Sequence, residues 1–196
     1  MSGGGIKRQL FLASASPRRL DILNAFQIPC TVIENKLVDE TLNNNNIKKA
    51  VRVLAQEKAL ASKENYQGLI LGVDTVVVIN NQILGKPHNL DEAKKMLQKL
   101  SEKEHVVISG IAVVDTILNK NICRTEATYV KFKKLDLAEI EYYCSNYLVL
   151  DKAGAYAIQE YGQNFVKKIR GSYYNVVGLP IKTLKSILKS YKIEKI

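Results

Sequence analysis

Asp74 lies in the run Leu69-Ile70-Leu71-Gly72-Val73-Asp74-Thr75-Val76-Val77-Val78-Ile79, where every neighbour except Gly72 and Thr75 is aliphatic. Burying an unpaired charge is so costly that a carboxylate in such a strand is paired, metal-bound or protonated, and each state is typical of a reactive site. The structural alternative is an aspartate at a strand end or bulge, helped by Gly72. Upstream, Leu12-Ala13-Ser14-Ala15-Ser16-Pro17-Arg18-Arg19 drives a short strand into a hydroxyl-rich turn and then opens a helix. Ser16 is the expected N-cap and Pro17 the first helical residue, where a missing N–H costs nothing. The free amides at that helix start and the forked donors of Arg18 and Arg19 suit phosphate oxygens. Taken alone, the octet leans to an ordinary capped helix with two solvated arginines. Ser14 and Ser16 are read as phosphate or backbone ligands, because no G-x-S-x-G elbow surrounds them and no histidine partner is evident.

Three further polar positions stand out. Lys58 falls in line with Val51, Leu54, Ala55 and Ala61 on the apolar face of a helix. Lys86, in Leu84-Gly85-Lys86-Pro87, is placed by the sequence in a tight turn close to Asp74, with an exposed turn lysine as the alternative. Asp39-Glu40 offers a metal-binding carboxylate or a solvated acidic pair in a loop.

The elements that must position these groups alternate between apolar strands and helical patterns, which predicts an α/β architecture. Strands are expected at Gln9 to Ala13, Cys30 to Ile33, Leu69 to Ile79, Gln82 to Leu84, His105 to Asp115 and Ile122 to Val130. Asn80-Asn81 reads as a hairpin turn. Helices are expected from about Pro17 to Phe26, Ile47 to Glu64, Leu90 to Leu100 with Asn89 as cap, and Asp136 to Cys144. Lys182, Lys185, Lys189 and Lys192 form the solvated face of a C-terminal helix, opposite Ile181, Leu184, Leu188 and Tyr191. The 196 residues are read as a flexible start at 1–8 and one catalytic domain at 9–196.

Composition excludes several classes. No apolar run approaches the roughly 18 residues needed to span a bilayer, and no leader pattern starts the chain, so a cytoplasmic protein without membrane partners is expected. Cys30, Cys123 and Cys144 are too few and too irregular for a disulfide framework or zinc ribbon and are expected as buried thiols. With two histidines, any metal must be held by carboxylates. The formal net charge of +10 attracts anions. No stripe of basic and aromatic residues marks a nucleic-acid groove, so nucleic acid is not the expected partner.

The last constellation is Asp151-Lys152-Ala153-Gly154-Ala155-Tyr156-Ala157-Ile158-Gln159, followed by Gly171-Ser172-Tyr173-Tyr174-Asn175-Val176-Val177-Gly178-Leu179-Pro180. With the octet at Leu12, the Gly72-x-Asp74-Thr75 strand and Gly85-Lys86-Pro87, these segments resemble the Maf family of nucleoside triphosphate pyrophosphatases, in family order from about Leu10 to Pro180. The resemblance implies a two-lobed, Maf/ITPase-like α/β fold around an elongated mixed sheet with a central cleft. It implies hydrolysis of a nucleoside triphosphate between the α and β phosphates with a divalent cation, Mg²⁺ or Mn²⁺, and a homodimer. Asp74 matches the family's proton acceptor, while Arg18, Thr75 and Gln159 match positions associated with substrate choice. Arg19, Glu40, Lys58 and Lys86 match the remaining polar cleft residues, Glu40 and Asp74 being assigned to the cation.

The Ala-Gly-Ala-Tyr-x-Ile-Gln form resembles the branch acting on dTTP and UTP, with Gln159 expected as a buried amide that reads the pyrimidine edge. Glu160 and Ala157 stand where the family usually has glycine. Alternatives are a pyrophosphatase for 7-methyl-GTP or another modified nucleotide, and a nucleic-acid-binding or septum-linked regulator without turnover, which would leave Asp74 unexplained.

Overall fold

The computed structural model describes residues 8–34 and 46–191. Among the described residues, seven strands, β1 (Leu10–Ala13), β2 (Thr31–Ile33), β3 (Leu69–Ile79), β4 (Gln82–Leu84), β5 (Glu104–Asp115), β6 (Lys120–Phe132) and β7 (Val166–Arg170), are interspersed with six α-helices. These are α1 (Pro17–Ala25), α2 (Ile47–Leu60), α3 (Leu90–Leu100), α4 (Leu137–Asn146), α5 (Tyr173–Val177) and α6 (Ile181–Ser190). The strands form one mixed sheet in the order β2-β1-β3-β5-β6-β7, with β4 paired to β3. β1 runs parallel to β2 and β3, whereas β3 with β4 and β6 with β7 are antiparallel. The expected α/β class is therefore observed.

Contacts divide the chain into two compact units, Met1–Asp74 with Ser109–Glu126 and Gly178–Ile196, and Thr75–Ile108 with Ala127–Val177. In the first, Phe11, Ala13, Ile33, Ala59, Ile70 and Val114 form a buried cluster against Tyr66. Two glycines seat α2 there. A Cβ at Gly72 would lie 2.1 Å from the Ala55 carbonyl oxygen, and one at Gly110 would lie 2.0 Å from that of Val51. Only hydrogen at these positions lets the α2 backbone reach β3 and β5. Gly72 is thus a seat for a helix within a continuous β3, rather than a bulge. On the outer face of α6, Lys182, Lys185 and Lys189 are exposed as expected; Lys192 lies outside the described residues.

In the second unit, Phe132, Tyr143, Phe165, His105 and Tyr156 make a core of edge-to-face ring contacts. Asn80 and Asn81 turn the β3–β4 hairpin with φ of 49° and 58°, the left-handed pair that asparagine tolerates and a type I′ turn requires.

Several sequence expectations are corrected. α2 ends at Leu60, and a short 3₁₀ turn at Lys63–Asn65 follows. Neither β7 nor α5 was read from the sequence; Val166-Lys-Lys-Ile-Arg170 is too polar to show a strand period, being an edge strand paired only through β6. Cys144 is buried, but Cys30 and Cys123 are only partly so. Met1 to Gly5, and with them most of the expected flexible start, lie outside the described residues. Among the described residues, no helix is long and apolar enough to cross a membrane.

Candidate functional site

The site begins where parallel strands end. β1 and β3 pair with Ala13 opposite Gly72, so Ser14 leaves β1 one residue short of the level of Asp74 on its neighbour. The carboxyl ends of parallel strands, followed by helix starts, are the ordinary place for ligands in α/β sheets. Gly72 and Asp74, two apart on β3, share a face. Because Gly72 admits α2 beside Ala55 and Ala59, Lys58 is carried to that same face.

The resulting contact is a buried ion pair. Lys58 Nζ donates to Asp74 Oδ1 at 2.7 Å, and the two residues are 6% and 7% exposed. The second carboxylate oxygen, Asp74 Oδ2, is buried without a hydrogen-bond partner. An unsatisfied buried acceptor costs about 1–3 kcal/mol, more for a charged group, so its persistence suits an atom reserved for a ligand.

At the head of α1, Ser16 occupies the N-cap position but its side chain makes no capping bond. The hydroxyl of Ser14 accepts from Ser16 N at 3.2 Å, which shapes the turn leading into α1 without capping the helix amides. It also accepts from Arg19 Nη1 at 2.8 Å, while Arg19 Nε donates to the Gly178 carbonyl at 3.0 Å. Arg19 therefore braces the Ser14 turn against the segment before α6. Ser14 is buried, and Arg18, next to Arg19 on α1, is half-buried.

Thr75, Lys86 and Gln159 belong to the second unit. Thr75 follows Asp74 on β3 and is half-buried. The expected tight turn around Lys86 is not formed: residues 85–87 carry neither a turn nor regular structure, and Lys86 is exposed. Gly85 has no positive φ and a Cβ there would meet nothing within 4 Å, so neither strain nor crowding demands glycine. Gln159 is also exposed, which overturns its reading as a buried amide. The apolar Tyr156, Ala157 and Ile158 before it are buried, and the chain reaches the surface at Gln159-Glu160. Glu40, with Asp39, lies outside the described residues.

A divalent cation fits this chemistry in one respect that can be tested on the described residues. Asp74 Oδ2 is a hard, unsatisfied oxygen donor. No group of three or more His, Cys, Asp or Glu side chains that could hold a metal occurs among the described residues. One such hard oxygen fits Mg²⁺, which keeps water and substrate phosphates as its other ligands and needs only one or two carboxylates.

The buried ion pair, the serine turn and the two arginines at a helix start occur in a chain with close relatives. The family model for Maf-like proteins matches residues 9–191. The dTTP/UTP pyrophosphatase of Thermosipho melanesiensis is 44% identical over 184 residues, covering 94% of this chain and 98% of that protein. The dTTP/UTP pyrophosphatase of Clostridioides difficile is 42% identical over 183 residues, covering 93% and 94%. Among solved structures, the Staphylococcus aureus Ham1 protein superposes with a TM-score of 0.53 at 13% identity, covering 93% of this chain and 99% of that one, a likeness of fold. Spanning both units from β1 to the end of α6, the match leaves one conclusion: the chain belongs to the Maf-like family.

Proposed function

We propose that this protein is a nucleoside triphosphate pyrophosphatase that hydrolyses dTTP and UTP to the nucleoside monophosphate and pyrophosphate. The observation carrying the reading is the buried Lys58–Asp74 pair with one carboxylate oxygen left over, in a chain more than 40% identical to proteins of that name.

In the reaction, a water oxygen attacks the α-phosphorus, the bond from that phosphorus to the α–β bridging oxygen breaks, and pyrophosphate leaves with the electron pair. Asp74 Oδ2 orients the water and accepts its proton, while Lys58 holds the other oxygen and so fixes the rotation of the carboxylate. A divalent cation, Mg²⁺ or Mn²⁺, supplies charge neutralisation at the phosphate oxygens when bound, and Asp74 Oδ2 and Glu40 would hold it. Oδ2 has two lone pairs, so a cation contact and a hydrogen bond from water are compatible. Arg18 and the Ser14 hydroxyl, the latter kept in register by Arg19, bind phosphate oxygens. In the second unit, Lys86 is assigned to the charge developing on the leaving pyrophosphate, and Thr75 and Gln159, with Arg18 in the first, to substrate choice. The resemblance also supports a cytoplasmic homodimer.

The test is an assay of the purified protein against dTTP, UTP, CTP, GTP and 7-methyl-GTP, with pyrophosphate and orthophosphate measured separately. Pyrophosphate from dTTP and UTP is expected. In Gln159→Ala the preference for these two over purine nucleotides shrinks by roughly 10-fold, as when one hydrogen-bonding amide is lost. Orthophosphate as the first product overturns the reaction class. A wild-type preference for 7-methyl-GTP overturns the pyrimidine assignment.

A further inference from the structure

Lys152 is a buried cation that the proposed chemistry does not use. It is 4% exposed, and its Nζ donates to Asp151 Oδ1 at 2.8 Å and to the Leu148 carbonyl. Lysine is almost never buried unless paired. Both acceptors here lie just upstream on the same stretch of chain, so the ammonium clamps residues 148–152 into one shape. From that clamp the backbone turns sharply: Ala155 N donates to the Lys152 carbonyl at 3.0 Å, and Gly154 and Ala155 take φ of 69° and 61°. Alanine in the left-handed region is strained, and such strain persists only where the surroundings over-determine it.

What the turn accomplishes is a bond to another segment. Gly154 N donates to the carbonyl of Gly85 at 3.0 Å, the residue immediately before Lys86. At Gly154, with a left-handed φ of 69°, a Cβ would meet Val77 side-chain atoms at 3.0–3.1 Å, so any other residue there must displace Val77. At Gly85 itself the space around a Cβ is open, so the Gly154 hydrogen bond, rather than side-chain packing at 85, ties the backbone that presents Lys86.

We propose that Lys152 and Gly154 are positioning residues for Lys86: the buried ammonium shapes the 152–155 turn, and the Gly154 amide holds the backbone from which Lys86 reaches the leaving pyrophosphate. The inference rests on the assignment of Lys86 to phosphate. It also explains why the Asp151 segment carries a lysine and a glycine in addition to the residue assigned to base choice.

The experiment is a double-mutant cycle on dTTP hydrolysis. Lys152→Met keeps an unbranched side chain, one atom shorter, and removes its charge; Gly154→Ala, chosen in case the first variant does not fold, adds one methyl group against Val77. Thermal unfolding confirms that each variant is folded at the assay temperature. Either change is expected to lower kcat on the order of 10-fold with a smaller change in KM, as when a transition-state contact is displaced. In a Lys86→Ala background the same change is expected to cost nothing further, because its target is gone. Wild-type kcat in the folded variants, or an undiminished further loss in the Lys86→Ala background, overturns the inference while leaving Lys86 in its role. Normal turnover of Lys86→Ala alone removes the role of Lys86 and the inference with it.

Discussion

Two buried aspartates end up in opposite conditions in the first unit. Asp115, at the end of β5, is fully buried and saturated: Oδ2 accepts from Arg8 Nη1 at 2.5 Å, and Oδ1 accepts from the amides of Ile117 and Leu118 at 3.0 Å each. Asp74, in the middle of β3, has Lys58 on one oxygen and no partner on the other. Burial alone thus does not separate the two carboxylates; the difference lies in the acceptor left over. The first carboxylate closes a turn between β5 and β6. The second leaves one buried oxygen without a partner, the atom to which the proposed reaction assigns the proton transfer.

The largest effect that could break this contrast is on stability. Asp115→Ala leaves the part-buried Arg8 and two turn amides without their acceptor and is expected to cost about 3–5 kcal/mol, the range for breaking a buried pair. A urea unfolding midpoint measures it, and turnover per folded molecule should stay at the wild-type level. A catalytic defect with unchanged stability would place Asp115 on the reactive side of the comparison.

Next comes Asp74→Asn, which retains an oxygen acceptor for Lys58 and removes the basic oxygen. Turnover should fall on the order of 10²-fold or more, as when a general base is lost, with a smaller loss of stability than in Asp115→Ala. Near-normal turnover in a folded Asp74→Asn protein would end the assignment of Asp74 as base.

The contrast is sharpened by His105, which also has a buried atom without a partner, Nδ1, yet sits among Phe132 and Tyr156 with Nε2 2.8 Å from the Tyr156 hydroxyl. Burial lowers its pKa to about 4. The unfolded chain, with an ordinary value near 6.5, therefore binds more protons between these limits. The contribution of a neutral His105 to stability is complete above about pH 6.5 and is lost as the pH falls toward 4, roughly 2 kcal/mol of it by pH 5. Unfolding midpoints at pH 7 and pH 5 should therefore converge in His105→Gln relative to the wild type. An unchanged acid sensitivity in that variant would show that His105 is not the group responsible.

Much of this molecule was legible before any contact was known. The β3–β4 hairpin, α3 with its Asn89 cap and the apolar faces of α2 and α6 follow from period, cap and turn chemistry, all of which act within a few residues. Asp74 and Lys58 were conspicuous for the same reason, each being a charge in a local pattern that dictates burial. Their pairing was not legible, because it depends on two glycines that let a helix backbone touch two strands far away in sequence. Arg19 as a brace, the bond of Ser14 to the Ser16 amide, and Gln159 at the surface were equally out of reach. Sequence pattern by itself determined which elements form, which faces are apolar and which charges are out of place. Only the tertiary structure decided which lone pairs those charges satisfy in one another and which remain for a ligand, because hydrogen bonds between distant segments are set by the approach of backbones and not by local period.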